Sequence, residues 1–174
     1  MKERSIIFTD AMARAALDGR KTQMRQLVNP QPVFVDGRCL LRFAYGQPGD
    51  RLWVREGWYC DGTKIEYRGD YPNPYPAKKV IKGYWQLSSH MRRAASRLTL
   101  EVVNARVERL QDITEADAIA EGVQRPGDID HGWPTARSAF VSLWESNNGP
   151  GSWAANPWVW RVEFKRATDD QVIV

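Results

Sequence analysis

The chain has 174 residues and a net charge of +4; 43% of its residues are hydrophobic and 26% are charged. That length suits one domain with a proper core, and that balance excludes a disordered chain. Two widely spaced cysteines, Cys39 and Cys60, and only two histidines, His90 and His131, give no metal-ligand spacing, and no run has the length of a membrane span or the form of a secretion signal. The expectation is a cytoplasmic protein with free thiols, no metal and no cofactor.

In chain order, residues 5–8 read as a short apolar strand. Asp10 is positioned to cap a helix carrying Met12, Ala15 and Ala16, with Gly19 closing it in the left-handed conformation. Arg20, Lys21 and Arg25 follow, with no acid until Asp36. Cations just past a helix end suit its dipole, but they also suit an anion. PQPVFVDGRCLLRF reads as a hairpin, with strands at 33–35 and 39–43 around an Asp36-Gly37 turn. QPGD is a turn, RLWVREGW a strand, and KIEYRGD its antiparallel partner. In that first strand Leu52, Val54 and Glu56 share one face, while Trp53 and Arg55 share the other. A carboxylate ending an apolar row must be paired, at a rim or lining a cavity.

YPNPYP cannot continue a ladder, because proline lacks the donor. It opens a long irregular segment reaching to about residue 95. No acid lies between Asp70 and Glu101, while Lys78, Lys79, Lys82, Arg92, Arg93 and Arg97 do, so the rest of the chain sums to −2. Tyr71, Tyr75, Tyr84 and Trp85 interleave with those charges. Charge for phosphates and rings for bases is the composition that binds single-stranded nucleic acid; a solvated insertion is the competing reading. SRLTLEVVNARVERL gives a strand or a bent pair, with Leu98, Leu100 and Val102 on one face. Thr114 to Asp117 forms a capping box for a short helix ending at Gly122, which leaves Glu121 at the unfavourable, negative end of the dipole. A carboxylate there fits one aimed inward at a cation such as Lys21, at about 3 to 6 Å if the two share a proton. Residues 134–147 are the clearest helix, striped by Ala136, Ala139, Phe140, Leu143 and Trp144. WVWRVEF is a closing strand.

The order of elements predicts an α+β domain with a small, mostly antiparallel sheet or barrel plugged by helices. Residues 1–166 form that single domain, with the basic insertion at about 71–95, and 167–174 form a tail.

LDGRKTQ, PGDRLWVRE and ITEADAIAEGV, followed by a Trp-containing helix, resemble the ASCH domain of the PUA-like superfamily. SSHMRRAASRLTLEV and NNGPGSWAANPWVWRVEF resemble the ASCH proteins common in bacteriophages and prophages, and the likeness runs from about Ile6 to Phe164. The resemblance implies a small PUA-like antiparallel β-barrel with flanking helices, and a cleft beside the Gly-x-Lys turn. It also implies a module that binds RNA, single-stranded nucleic acid or a modified nucleotide. On that reading a base stacks on Trp85 or Trp53 and is read by Lys21, Glu56 and Glu121, while Arg25 and the 78–97 cations meet phosphates. Some similar small bacterial proteins are amidohydrolases acting on N4-acetylcytidine. They use the lysine of the GxK motif, a threonine three residues later and a glutamate in the short helix. Lys21 and Glu121 match that set as candidate catalytic groups, for amidohydrolase or ribonuclease chemistry, but the threonine position holds Met24. A third alternative is a phage factor that binds protein through the Trp-rich C-terminal region.

Overall fold

The computed structural model describes residues 1–32, 34–35, 38–39, 46–71, 85–123 and 134–168. The Asp36-Gly37 turn, Tyr75, Tyr84, Lys78, Lys79, Lys82 and the end of the tail lie outside the described residues. In chain order the elements are β1 (Glu3–Ile7), α1 (Asp10–Leu17), β2 (Gln23–Leu27), β3 (Phe34–Val35), β4 (Arg38–Cys39), β5 (Arg51–Arg55), β6 (Trp58–Cys60), β7 (Ile65–Tyr67), β8 (Thr99–Arg109), α2 (Glu115–Ala120), α3 (Ala136–Asn148) and β9 (Trp158–Arg166). Short 3-10 turns occupy Arg68–Asp70, Ser88–His90, Arg93–Ala95 and Leu110–Asp112.

Five strands form one sheet in the order β1-β5-β8-β9-β2, and β3-β4 and β6-β7 are separate hairpins. The fold is α+β as expected. The described sheet is mostly antiparallel, as expected, with one exception: β1 runs parallel to β5. No pairing between β1 and β2 closes a barrel among the described residues. No helix among the described residues is long and apolar enough to cross a membrane.

Three local expectations change. Thr9, extended at φ −66 and ψ 161, caps α1 by accepting from Met12 N, and Asp10 becomes the first helical residue. The Asp10 carboxylate is drawn instead to Gly57 N at 3.1 Å and to Arg68 at 3.4 Å. The predicted strand RLWVREGW breaks at Glu56 and Gly57, where the lack of a side chain admits the Asp10 carboxylate (a Cβ would stand 2.7 Å from its Oδ1), and Trp58 begins a new strand. β7 therefore pairs with β6, not with the strand at 51–55. Finally, β2 was not foreseen; it lies at the sheet edge against β9.

β9 divides two cores. Trp160, Val162 and Phe164 join Leu52, Val54, Leu100, Val102 and the alanines of α1. Val159, on the alternate side, joins Leu110, Ile113 and Ala118 with Ala136, Phe140 and Trp144 of α3. Each such side chain taken fully out of water contributes roughly 1.5–3 kcal/mol. In β8 the phase changes partway. Leu100 and Val102 face the first core; a bulge between Val102 and Asn104 then shifts the register, and Ala105 and Val107 take over that side. Val103, the extra residue, is left 48% exposed.

Candidate functional site

Lys21 sits where two helices end. Beyond α1, Gly19 reverses the chain at φ +74. Arg20 N and Lys21 N then both donate to Ala15 O, at 2.8 and 3.0 Å. Lys21 makes an isolated antiparallel bridge to Glu121, and Thr22 N donates to Ala120 O at 2.8 Å. Gly122, at φ +87, makes this approach feasible: a Cβ there would lie 2.9 Å from Lys21 Cβ and 3.1 Å from Ala15 Cβ. The ammonium is only 2% exposed as a residue. Its three protons go to Glu121 O at 2.8 Å, Gln23 O at 2.9 Å and Glu121 Oε2 at 3.0 Å. The two charges thus meet within the expected distance, and the cation offsets a carboxylate at the negative end of α2. Arg20 instead lies at the surface against Asp18, at 3.0 Å.

The pair belongs to a larger network set by strand register. Arg25 of β2 lies opposite Arg161 of β9, which lies opposite Arg106 of β8. Three cations abreast would repel one another, and carboxylates interleave them. Arg25 Nη1 donates to Glu121 Oε1 at 3.0 Å, and its Nη2 to Glu108 Oε1 at 2.6 Å, with Asp117 at 3.4 Å. Arg161 Nη2 meets Asp117 Oδ1 and Glu163 Oε1, both at 2.9 Å. Arg106 meets Glu108 Oε2 at 3.0 Å. Gln23 ties the set together: its Oε1 accepts from Arg161 Nε at 2.8 Å and Arg25 Nη1 at 3.3 Å, and its Nε2 donates to Asp117 Oδ1 at 3.1 Å. Lys21, Arg25, Arg106 and Arg161 therefore face Glu108, Asp117, Glu121 and Glu163, four charges of each sign. Burial pushes the Asp117 carboxyl up, but hydrogen bonds from Gln23 and Thr114 and the charge of Arg161 outweigh it and hold the group at about 2.

Arg25, expected at a phosphate, has a side chain that is 0% exposed and enclosed by these carboxylates. Met24, at the position of the family's threonine, is 2% exposed and packs in the apolar core on the other face of β2. The open part of the network is its rim. There Thr22, Gln23, Val103, Arg161, Glu163 and Phe164 line a surface hollow of about 320 Å³.

Glu56 is 1% exposed and belongs to a different cluster. Arg97 holds it by two bonds of 2.9 Å and also grips Asp70 at 2.6 and 2.8 Å, with its guanidinium 4.0 Å from the Tyr67 ring. Burial pushes the Glu56 carboxyl up, and the Arg97 hydrogen bonds only partly offset this. Glu56 lies beside Asp10 and Gly69 at the start of α1, whereas Lys21 lies beyond its end. No hydrogen bond or ion pair joins the two clusters among the described residues. The three residues expected to read one base are thus split into a pair and a single.

Trp53 carries the Arg55 guanidinium at 5.5 Å, and Arg55 also donates to Ser89 O. Trp85 meets Tyr59 and Tyr71 edge-on, at 6.5 and 5.8 Å. Of the expected phosphate contacts, Arg92 is exposed. Arg93 pairs with Glu3 at 2.9 Å and Thr99 at 3.0 Å, and Arg97 is the clasp just described. Gln23, Glu108, Asp117 and Arg161 were not anticipated. Asp117 carried a readable signal: four residues before Glu121, it shares that residue's helix face.

No protein-family model matches the chain, and no curated protein matches it. Two solved structures are similar to it in fold. One is a DUF984-family protein from Enterococcus faecalis V583, at a TM-score of 0.47 and 10% identity over 96% of this chain and 81% of that one. The other is an ASCH domain from Lactobacillus crispatus JV V101, at a TM-score of 0.46 and 13% identity over 95% of this chain and 79% of that one. An ASCH domain, the family that the sequence motifs resemble, is thus among the solved structures similar to this chain.

Proposed function

We propose that the chain binds nucleic acid or a modified nucleotide, and that the hollow beside the ion network receives the base. The observation that carries this reading is the hollow's construction. Its floor and rim combine apolar groups, Val103 and Phe164, with the polar Gln23, Arg161 and Glu163. Those polar groups are held by one another and by Asp117, so they present fixed donors and acceptors without ordering on binding. About 320 Å³ lies at the small end of ligand sites and suits a single ring system. Arg25 acts from behind, by holding Gln23 and Glu121.

Hydrolysis is the second reading, favoured by the 3.0 Å contact of Lys21 with Glu121. Against it, every ammonium proton is already committed, two of them to backbone carbonyls, and Met24 supplies no hydroxyl.

The test is titration calorimetry with modified nucleosides, alongside anisotropy of a labelled single-stranded oligonucleotide. Val103→Trp fills the hollow from an exposed bulge without touching the network. Saturable binding that Val103→Trp weakens at least tenfold is the expected result. Binding that ignores this substitution, or no binding of any probe, sinks the proposal.

A further inference from the structure

At the far end of β8 two arginines lie over tryptophan rings. The Arg109 guanidinium stands 4.3 Å from the Trp158 ring, and its Nη1 donates to Asn156 O at 3.0 Å. The Arg137 guanidinium, in the first turn of α3, stands 5.0 Å from the Trp153 ring. Its Nε donates to Ile113 O and its Nη2 to Gln111 O, both at 3.2 Å. Gln111 joins the two stacks: its N–H donates to Asn156 Oδ1 at 2.9 Å and its side chain to Trp153 O at 2.9 Å. The two planes therefore belong to one braced surface, not to two wandering side chains.

The charge pattern sets these two arginines apart from those of the ion networks. Arg25, Arg93, Arg97, Arg106 and Arg161 are all paired with carboxylates. Arg109 and Arg137 are exposed, and among the described residues their guanidinium groups bond only to backbone carbonyls and form no ion pair; the Glu115 carboxylate nearby accepts from the backbone N–H of Arg137 at 2.9 Å, not from its side chain. Carbonyls orient a guanidinium without cancelling its charge. The result is two guanidinium groups, each oriented by its hydrogen bonds over an indole, that keep their positive charge. Planar cations of this kind take a base on the outer face and draw a phosphate at the edge.

We infer that this end of the molecule is a second contact surface for single-stranded nucleic acid, separate from the hollow, with Arg109 and Arg137 as its stacking and charge contacts. The inference shares with the proposed function only the premise that a nucleic acid is bound. An acidic protein partner would use the charge but not the planes.

The experiment measures anisotropy of labelled single-stranded RNA and DNA of roughly 12 nucleotides across a salt series. Three proteins are compared: the unaltered chain, Arg109→Gln/Arg137→Gln and Arg109→Lys/Arg137→Lys. Melting curves verify that each remains folded. Each lost phosphate contact on a single strand removes about 0.7 from the slope of log affinity against log salt, so the Gln pair should flatten it by about 1.4. The Lys pair should keep the slope yet bind several-fold more weakly, because charge survives and the plane does not. A Gln pair with unchanged affinity and slope overturns the second surface while leaving the hollow intact. A Lys pair that binds as well as the unaltered chain overturns stacking and marks a charge-only surface. If the unaltered chain binds no oligonucleotide, this inference falls, while the hollow still stands or falls on the nucleosides; if Val103→Trp alone weakens binding, only this inference falls.

Discussion

Replacing Asp117 by Asn should cost about 2 kcal/mol at neutral pH, and that cost should vanish in acid. The carboxyl is held at about 2 against an ordinary 3.8. A gap of this size, at 1.36 kcal/mol per unit, corresponds to about 2 kcal/mol of preference for the charged form in the folded chain. The side chain is 13% exposed, so solvent screens little of it. Because the folded value is depressed, the stabilisation is fully present above 3.8 and is lost as pH falls through about 2. Asn keeps an oxygen for Thr114 N, so the capping of α2 largely survives while the charge does not. Urea unfolding of both proteins at steps from about pH 7 to pH 2.5 reads the difference directly, and subtracting the two curves cancels the titration of all other groups. The gap should narrow steadily below about pH 4. A gap of constant size would refute the electrostatic account and assign the loss to packing; no gap at pH 7 would show that the network stores nothing at Asp117.

Lys21→Met leaves Glu121 buried beside Arg25 alone and should cost roughly 3–5 kcal/mol in chemical unfolding; a loss below 1 kcal/mol would mean that the network rearranges freely. Glu56 titrates the opposite way from Asp117. Its folded value is raised above 4.5, so stability should fall as pH rises through that raised value, and Glu56→Gln should flatten this part of the profile. A profile that keeps its slope would exclude Glu56 as the source. Met24→Thr buries a hydroxyl in the first core and should destabilise by roughly 1–3 kcal/mol without creating cytidine release from N4-acetylcytidine; robust release by either form would revive the hydrolase reading.

Legibility in the sequence followed the range of each interaction. Leu52, Val54 and Glu56 share a buried face because period-two alternation is local. The capping box at Thr114 and the turn at Gly19 are likewise local chemistry. Glu121 could be matched with Lys21 because a carboxylate at a helix C-terminus is an anomaly visible without a fold. β2 escaped notice because QMRQL alternates between an apolar core and an equally buried polar network, so Gln23 carried no signal and Arg25 read as a phosphate contact. The row of Arg25, Arg161 and Arg106 depends on register between strands distant in sequence. Glu56 failed to join Lys21 because strand parity gives a face but not a position along the neighbouring helix.

The extra residue in β8 has a further consequence for how the chain tolerates length changes. β8 is two half-strands written out of phase: before Val103 the even positions point to the first core, and after it the odd positions do. Removing that one residue would leave Val102 and Asn104 adjacent, opposite Phe164 and Glu163, which are already neighbours on β9. Ala105 and Val107 would keep their side of the sheet, and Arg106 and Glu108 theirs. The same deletion a few residues on, at Val107, would move Glu108 into its place, away from Arg25 and toward the first core. Tolerance to a lost residue is therefore confined to the bulge, where the extra residue serves no ladder pair, and the rest of the strand is held to its count.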